Sequence, residues 1–109
     1  MHEKKLGFGL MRLPLIDSAD ATKIDYATTR LMVDRYLKAG FSYFDTAAPY
    51  HGGGNSEVAF RECVAKHYPR SSYTITDKLS LFMVQTDEDL EVFFQEQLER
   101  CGVDYFDYY

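Results

Sequence analysis

The chain has 109 residues, 46% hydrophobic and 27% charged, with three prolines and seven glycines, which is the make-up of one folded domain and argues against disorder. Twelve lysines and arginines against 17 acidic residues leave a net charge of -5, so phosphate-rich partners meet no general attraction and nucleic acid is not expected to bind. No apolar run approaches the roughly 18 residues of a membrane span, and the start Met1-His2-Glu3-Lys4-Lys5 lacks the apolar middle of a signal peptide. A soluble, cytoplasmic protein with no membrane partner is the expectation. Cys63 and Cys101 have neither CxxC spacing nor a neighbouring histidine pair, so they read as reduced core thiols and no metal site is expected. Eight Phe and nine Tyr without a Trp imply a core built on large rings.

In chain order, the first apolar run of strand length is Leu6 to Leu10, followed by a loop over residues 14 to 24. A helix is predicted from about Asp25 to Ala39, with Tyr26, Thr29, Val33, Tyr36 and Leu37 inward and Gly40 as its stop. The second strand is Phe41 to Phe44. A second helix begins near Asn55, with Ser56 and Glu57 in its first turn and Ala59, Phe60, Cys63, Val64 and His67 along a buried stripe, and ends before Pro69. The third strand is Tyr73 to Thr76. A third helix has Leu90, Phe93, Phe94, Gln97, Leu98 and Cys101 on one face; Thr86 and Asp89 form a capping-box start, and Gly102 follows the last apolar position. The fourth apolar run is Tyr105 to Tyr109. Strand starts recur about every 32 residues, the length of one strand-helix unit with its loops.

This alternation implies parallel strands joined by right-handed crossovers, an α/β class. At that repeat length, eight units need about 250 residues, the size of a (β/α)8 TIM barrel. Residues 1–109 supply three βα units plus strand 4. The expectation is therefore a single incomplete domain, the N-terminal part of such a barrel, truncated at the fourth strand, because an uncapped edge strand with bulky rings on both faces seldom closes a domain.

In parallel barrels the chemistry gathers where strands end at their C-termini. Asp45 closes the second strand, Tyr50 follows in the next loop, and Lys78 closes the third. An ammonium beside a tyrosine stabilises the phenolate, so the hydroxyl serves as a general acid, and an aspartate keeps the ammonium charged and in place. Such a set donates a proton to a carbonyl oxygen that is becoming an alkoxide. Each residue also has a plain reading: Asp45 capping a turn, Tyr50 packed on a loop, Lys78 solvated at a strand end.

The segment Gly40 to Glu57, GFSYFDTAAPYHGGGNSE, resembles the hallmark of aldo-keto reductases, in which F-D-T-A precedes a tyrosine, a glycine loop and S-E. GFGLMRLP at Gly7 to Pro14 resembles the family's first barrel strand, YTITDKL at Tyr73 to Leu79 its lysine-bearing third strand, and Cys101 to Tyr109 the approach to its fourth. The resemblance covers essentially the whole chain. It implies NADP(H)-dependent hydride transfer to or from a small-molecule carbonyl or alcohol, with Tyr50 as the acid, Lys78 activating it and Asp45 pairing with Lys78 near the nicotinamide ribose. It also places Gly9 and Met11, at and just past the first strand, beside the cofactor. In relatives a histidine stands about three residues beyond the position of Tyr109 and most cofactor contacts lie in later strands. These residues alone are therefore expected neither to hold NADP(H) tightly nor to turn over. The PYHGG form resembles a bacterial subset that often carries a C-terminal ferredoxin-like 4Fe-4S segment, for which residues 1–109 supply no cysteine spacing.

The remaining candidates are weaker. His51 either borders a substrate pocket or is solvated on its loop; His2 and His67 read as bystanders. Gly52 to Gly54 matches neither common phosphate-loop pattern and reads as a permissive turn. Asp87, Glu88 and Asp89 mark a helix start. A non-catalytic binding or regulatory subunit on the same barrel fold, and a half barrel that assembles with itself or with another half, stand as alternatives.

Overall fold

The computed structural model describes residues 5–109; Met1–Lys4, and with them His2 and most of the start read against a signal peptide, lie outside the described residues. Three parallel strands, β1 (Gly7–Gly9), β2 (Tyr43–Asp45) and β3 (Thr74–Thr76), form one sheet in sequence order. Helix α1 (Tyr26–Lys38) joins β1 to β2, α2 (Asn55–Phe60) lies between β2 and β3, and α3 (Asp87–Cys101) follows β3. The register aligns Gly7, Tyr43 and Thr74 in one row, Phe8, Phe44 and Ile75 in the next, and Gly9, Asp45 and Thr76 in the third.

Because side chains alternate across a strand, the middle row faces the helices. Phe44 and Ile75 are fully buried there. Phe44 is ringed by Phe8, Tyr36, Phe60 and Tyr73, with centroids 5.2–6.4 Å away and mostly edge-to-face geometry. The aromatic core expected from composition is thus one cluster between sheet and helices. The Tyr36 hydroxyl also reaches the sheet's backbone, accepting from the Tyr43 N–H at 3.1 Å and lying 2.5 Å from the carbonyl of Leu6 and 2.6 Å from that of Tyr43.

The helices carry the predicted ends. Asp25 caps α1 by accepting from the Thr28 N–H at 3.0 Å. Thr86 and Asp89 form the reciprocal capping box of α3, and Gly102 ends it in the left-handed conformation, where a Cβ would stand 2.6 Å from Arg61. Inside the helices two positions depart from expectation. Tyr26, predicted inward, is 39% exposed, because the buried stripe of α1 begins one turn later at Thr29. His67 is exposed, since α2 runs on as a π-helical segment, Arg61–Ala65, with Lys66 N–H bonded to the Arg61 carbonyl. That wider winding turns position 67 off the stripe of Ala59, Phe60, Cys63 and Val64.

The strands are shorter than predicted at both flanks. Phe41 gives its N–H to the Tyr36 carbonyl at the end of α1, and β2 begins at Tyr43. The expected fourth strand is reduced to a single parallel bridge, Thr76 with Tyr108. The Asp107 carboxylate accepts from the Ile75 N–H at 2.8 Å and from Arg70 at 2.7 Å. That side chain takes the place of one backbone acceptor, while the pairing itself is carried by Asp107 N–H to the Ile75 carbonyl at 3.0 Å and Asp77 N–H to the Tyr108 carbonyl at 3.2 Å. Residues 14 to 24 form the expected loop, closed by one antiparallel bridge, Leu15 with Ile24, over turns in which Asp17 and Asp20 accept backbone N–H groups. Cys63 and Cys101 are buried and unpaired. Among the described residues no helix is long and apolar enough to cross a membrane.

Candidate active site

Beyond the C-terminal strand ends three loops are tied together before any polar side chain is considered. Leu10 N–H bonds to the Asp45 carbonyl at 2.9 Å and Thr46 N–H to the Thr76 carbonyl at 3.0 Å, extending the ladder by one residue on each side. Ser56, at the start of α2, donates to the Leu10 carbonyl at 2.9 Å and lies 2.8 Å from the Thr46 hydroxyl; both hydroxyl residues are fully buried. The loop after β2 therefore cannot swing freely.

His51 completes this tie. It is 8% exposed, its Nε2 accepts from the Leu13 N–H at 3.0 Å, and its Nδ1 lies 2.7 Å from the Ala21 carbonyl. A carbonyl can only accept, so Nδ1 carries the proton and the ring is the neutral Nδ1–H tautomer. The solvated reading of His51 does not describe it: the ring is drawn inward to satisfy the buried Leu13 N–H and the Ala21 carbonyl. His51 itself has φ 57, and Gly52, Gly53 and Gly54 all have φ between 82 and 92, so four successive residues lie in the left-handed region. The permissive-turn reading of the glycines fits this backbone.

On this frame Lys78 and Asp45 form an ion pair, and the ammonium also donates to the Thr46 carbonyl at 2.7 Å. The same Nζ stands 5.2 Å from the centroid of the half-buried Tyr50 ring. Partial burial works to lower the Lys78 pKa, but the Asp45 carboxylate and, behind it, Tyr50 more than offset that and hold it above the usual lysine value. The ammonium is therefore charged throughout the physiological range. Asp45, Tyr50 and Lys78, singled out from three separate stretches of sequence, meet at one place.

Gly9 lies beside Asp45 in the register, and a Cβ built on it would meet nothing within 4 Å. The sheet surface next to the carboxylate is thus bare. Met11 is 54% exposed just past β1. A groove of about 500 Å³ between Asp34, Phe41, Tyr68 and Ser72 lies at the other end of the strands, away from these groups.

Behind Lys78 is a polar layer that sequence reasoning missed. Asp77 is fully buried and accepts the Lys78 N–H at 2.8 Å, while Gln97 donates to the Lys78 carbonyl at 3.0 Å. Glu57, read only as a charge in a helix's first turn, is fully buried against Arg100 at 2.8 Å. One signal was available: Tyr73, Ile75 and Asp77 alternate along an extended segment, which puts the aspartate on the buried face.

A parallel α/β sheet with charged side chains collected past the C-terminal strand ends is the arrangement of barrel-type α/β proteins. The sequence profile of the Aldo/keto reductase family matches residues 5–109, and the chain belongs to that family. Among solved structures it resembles an aldo-keto reductase from Klebsiella pneumoniae in complex with NADPH (TM-score 0.72, 17% identity, 94% of this chain and 33% of that one). It also resembles a putative 2,5-diketo-D-gluconic acid reductase B (TM-score 0.66, 24% identity, 93% and 31%). A thermostable aldo-keto reductase in complex with the inhibitor epalrestat is similar at TM-score 0.68 and 25% identity, with 94% and 35% covered. No curated protein matches the chain. The chain spans about a third of the length of these structures, and its sheet corresponds to the opening part of their TIM barrel.

Proposed function

We propose that residues 1–109 supply the proton-donating part of an NADP(H)-dependent oxidoreductase acting on a small carbonyl or alcohol, and that activity belongs to a complete barrel. The observation that carries this reading is the convergence of the Lys78 ammonium on the Asp45 carboxylate and the face of Tyr50. In this reading Tyr50 gives its hydroxyl proton to the substrate oxygen as that oxygen becomes an alkoxide. Lys78 stabilises the phenolate left behind, and Asp45 holds Lys78 at the end of β2. When bound, NADPH supplies the hydride. The bare surface at Gly9 beside Asp45 suits the nicotinamide end of that cofactor, with Met11 at its margin. The pyrophosphate-binding residues are placed outside this chain.

The test is Tyr50→Phe in the full-length protein. Carbonyl reduction is expected to fall about a hundredfold or more while NADPH affinity stays nearly unchanged. Turnover close to that of the wild type would remove Tyr50 from the role, and no turnover in either protein, with NADPH still bound, would favour a binding or regulatory subunit.

A further inference from the structure

We propose that Asp77 and Glu57 share a single proton as a buried acid–carboxylate pair, and that this pair is a positioning element for Lys78. It rests, in its second half, on the role given to Lys78 above.

The argument begins with one oxygen. Glu57 is fully buried and spends Oε1 on the Arg100 guanidinium, but its Oε2 has no N–H or hydroxyl donor. The acidic neighbour beside it is another buried carboxyl, Asp77, with oxygens of the two side chains within 4.8 Å of each other. Two carboxylates cannot hydrogen-bond to each other, and two buried charges at that distance with one guanidinium between them repel strongly. A proton on Asp77 resolves both problems: the acid donates to Glu57, and the pair keeps one negative charge for Arg100. Asp77 Oδ1 accepts the strong Lys78 N–H donor, so the proton sits on Oδ2, whose remaining lone pair faces only the weak Cys101 S–H donor at 3.7 Å.

Every group facing the pair agrees. The Cys101 thiol, from α3, donates to Asp77 Oδ2 at 3.7 Å, and burial, followed by Asp77, pushes its pKa far up, so it stays S–H. Arg100 points at Glu57, and the Lys78 ammonium points away to Asp45. Tyr109 donates to Gln97, and burial, then Asp77 and Glu57, raise it to about 12, so it stays neutral. Burial first, and Glu57 next, push Asp77 up from 3.8 to about 9. The link to Lys78 is direct, because Asp77 holds its N–H and Gln97 its carbonyl. The backbone from which the ammonium reaches Asp45 is thereby clamped on both sides.

A raised carboxyl pKa means that folding takes up a proton. The stability contributed by this proton is fully present below about 3.8, declines as pH rises and is gone past about 9. In the full-length protein, infrared spectroscopy at pH 7 should show a protonated-carboxyl C=O band that Asp77→Asn removes. The wild-type Tm should fall between pH 5 and pH 9, whereas D77N, whose amide donates to Glu57 and still accepts from Lys78, should be flatter. D77N should keep kcat within about threefold and move its alkaline limb to higher pH, while Asp77→Leu, which abandons the Lys78 N–H, should lose kcat about tenfold or more. Absence of the band together with an unchanged pH slope in D77N would overturn the pair, as would a fall in Tm on adding EDTA, which would mark a cation among Glu57, Asp77 and Cys101. Equal kcat in D77L and the wild type would overturn the positioning role. If Lys78→Met left turnover intact, the functional reading would fail while the band and the slope still decided the pair.

Discussion

The two faces of this three-stranded sheet obey different rules. Toward the helices, Phe8, Phe44 and Ile75 pack into a dry aromatic cluster in which position is set by shape. On the other face, Gly7, Gly9, Tyr43, Asp45, Thr74 and Thr76 leave surface open: Tyr43 is 38% exposed, and its hydroxyl accepts from Thr76 at 2.7 Å. Adjacent residues of one strand, Phe44 and Asp45, thus serve opposite purposes. A strand three residues long is enough to carry both a core ring and a candidate-site carboxylate, because alternation separates them by a single peptide.

That separation can be broken from either side in the full-length protein. Phe44→Ala should cost about 3–5 kcal/mol of stability, read by denaturant unfolding, with turnover per folded molecule little changed. Lys78→Met should show the converse, a loss of kcat of about a hundredfold or more with stability within about 1 kcal/mol. If Phe44→Ala abolished turnover in protein shown to be folded, the two faces would be coupled. His51→Ala, which orphans the buried Leu13 N–H, should cost about 1–3 kcal/mol and speed hydrogen exchange at Leu13. The smallest effect is expected from Gly53→Ala, about 1 kcal/mol by Tm: φ is 92, but the new Cβ meets nothing within 4 Å.

The dry face was the legible one. Val33, Tyr36, Ala59, Phe60, Phe93 and Cys101 were all assigned inward by spacing and are buried. Helix ends were equally readable, since Asp25, Thr86 and Gly102 act through their own local backbone. Of the candidate site, the half-buried Asp45, Tyr50 and Lys78 were legible, because each stands at or beyond the C-terminal end of an apolar strand. Its support was not. Glu57 and Arg100 lie 43 positions apart and become partners only through tertiary packing of α2 on α3. The burial of His51 was not legible because a ring between two loops has no periodic signature, nor the exposure of His67, because one π-helical turn shifts every later position on the face.

The Tyr36 hydroxyl has a mechanical consequence. It reaches backbone groups of both Leu6 and Tyr43, so one atom of α1 rests against the chain on either side of the β1–β2 boundary. Pulling α1 along the strands would have to rupture that bond and drag an aromatic ring past Phe8 and Phe44 in the same movement. Helix and strand pair should therefore resist shear as one stiff block, with compliance confined to the loops at either end.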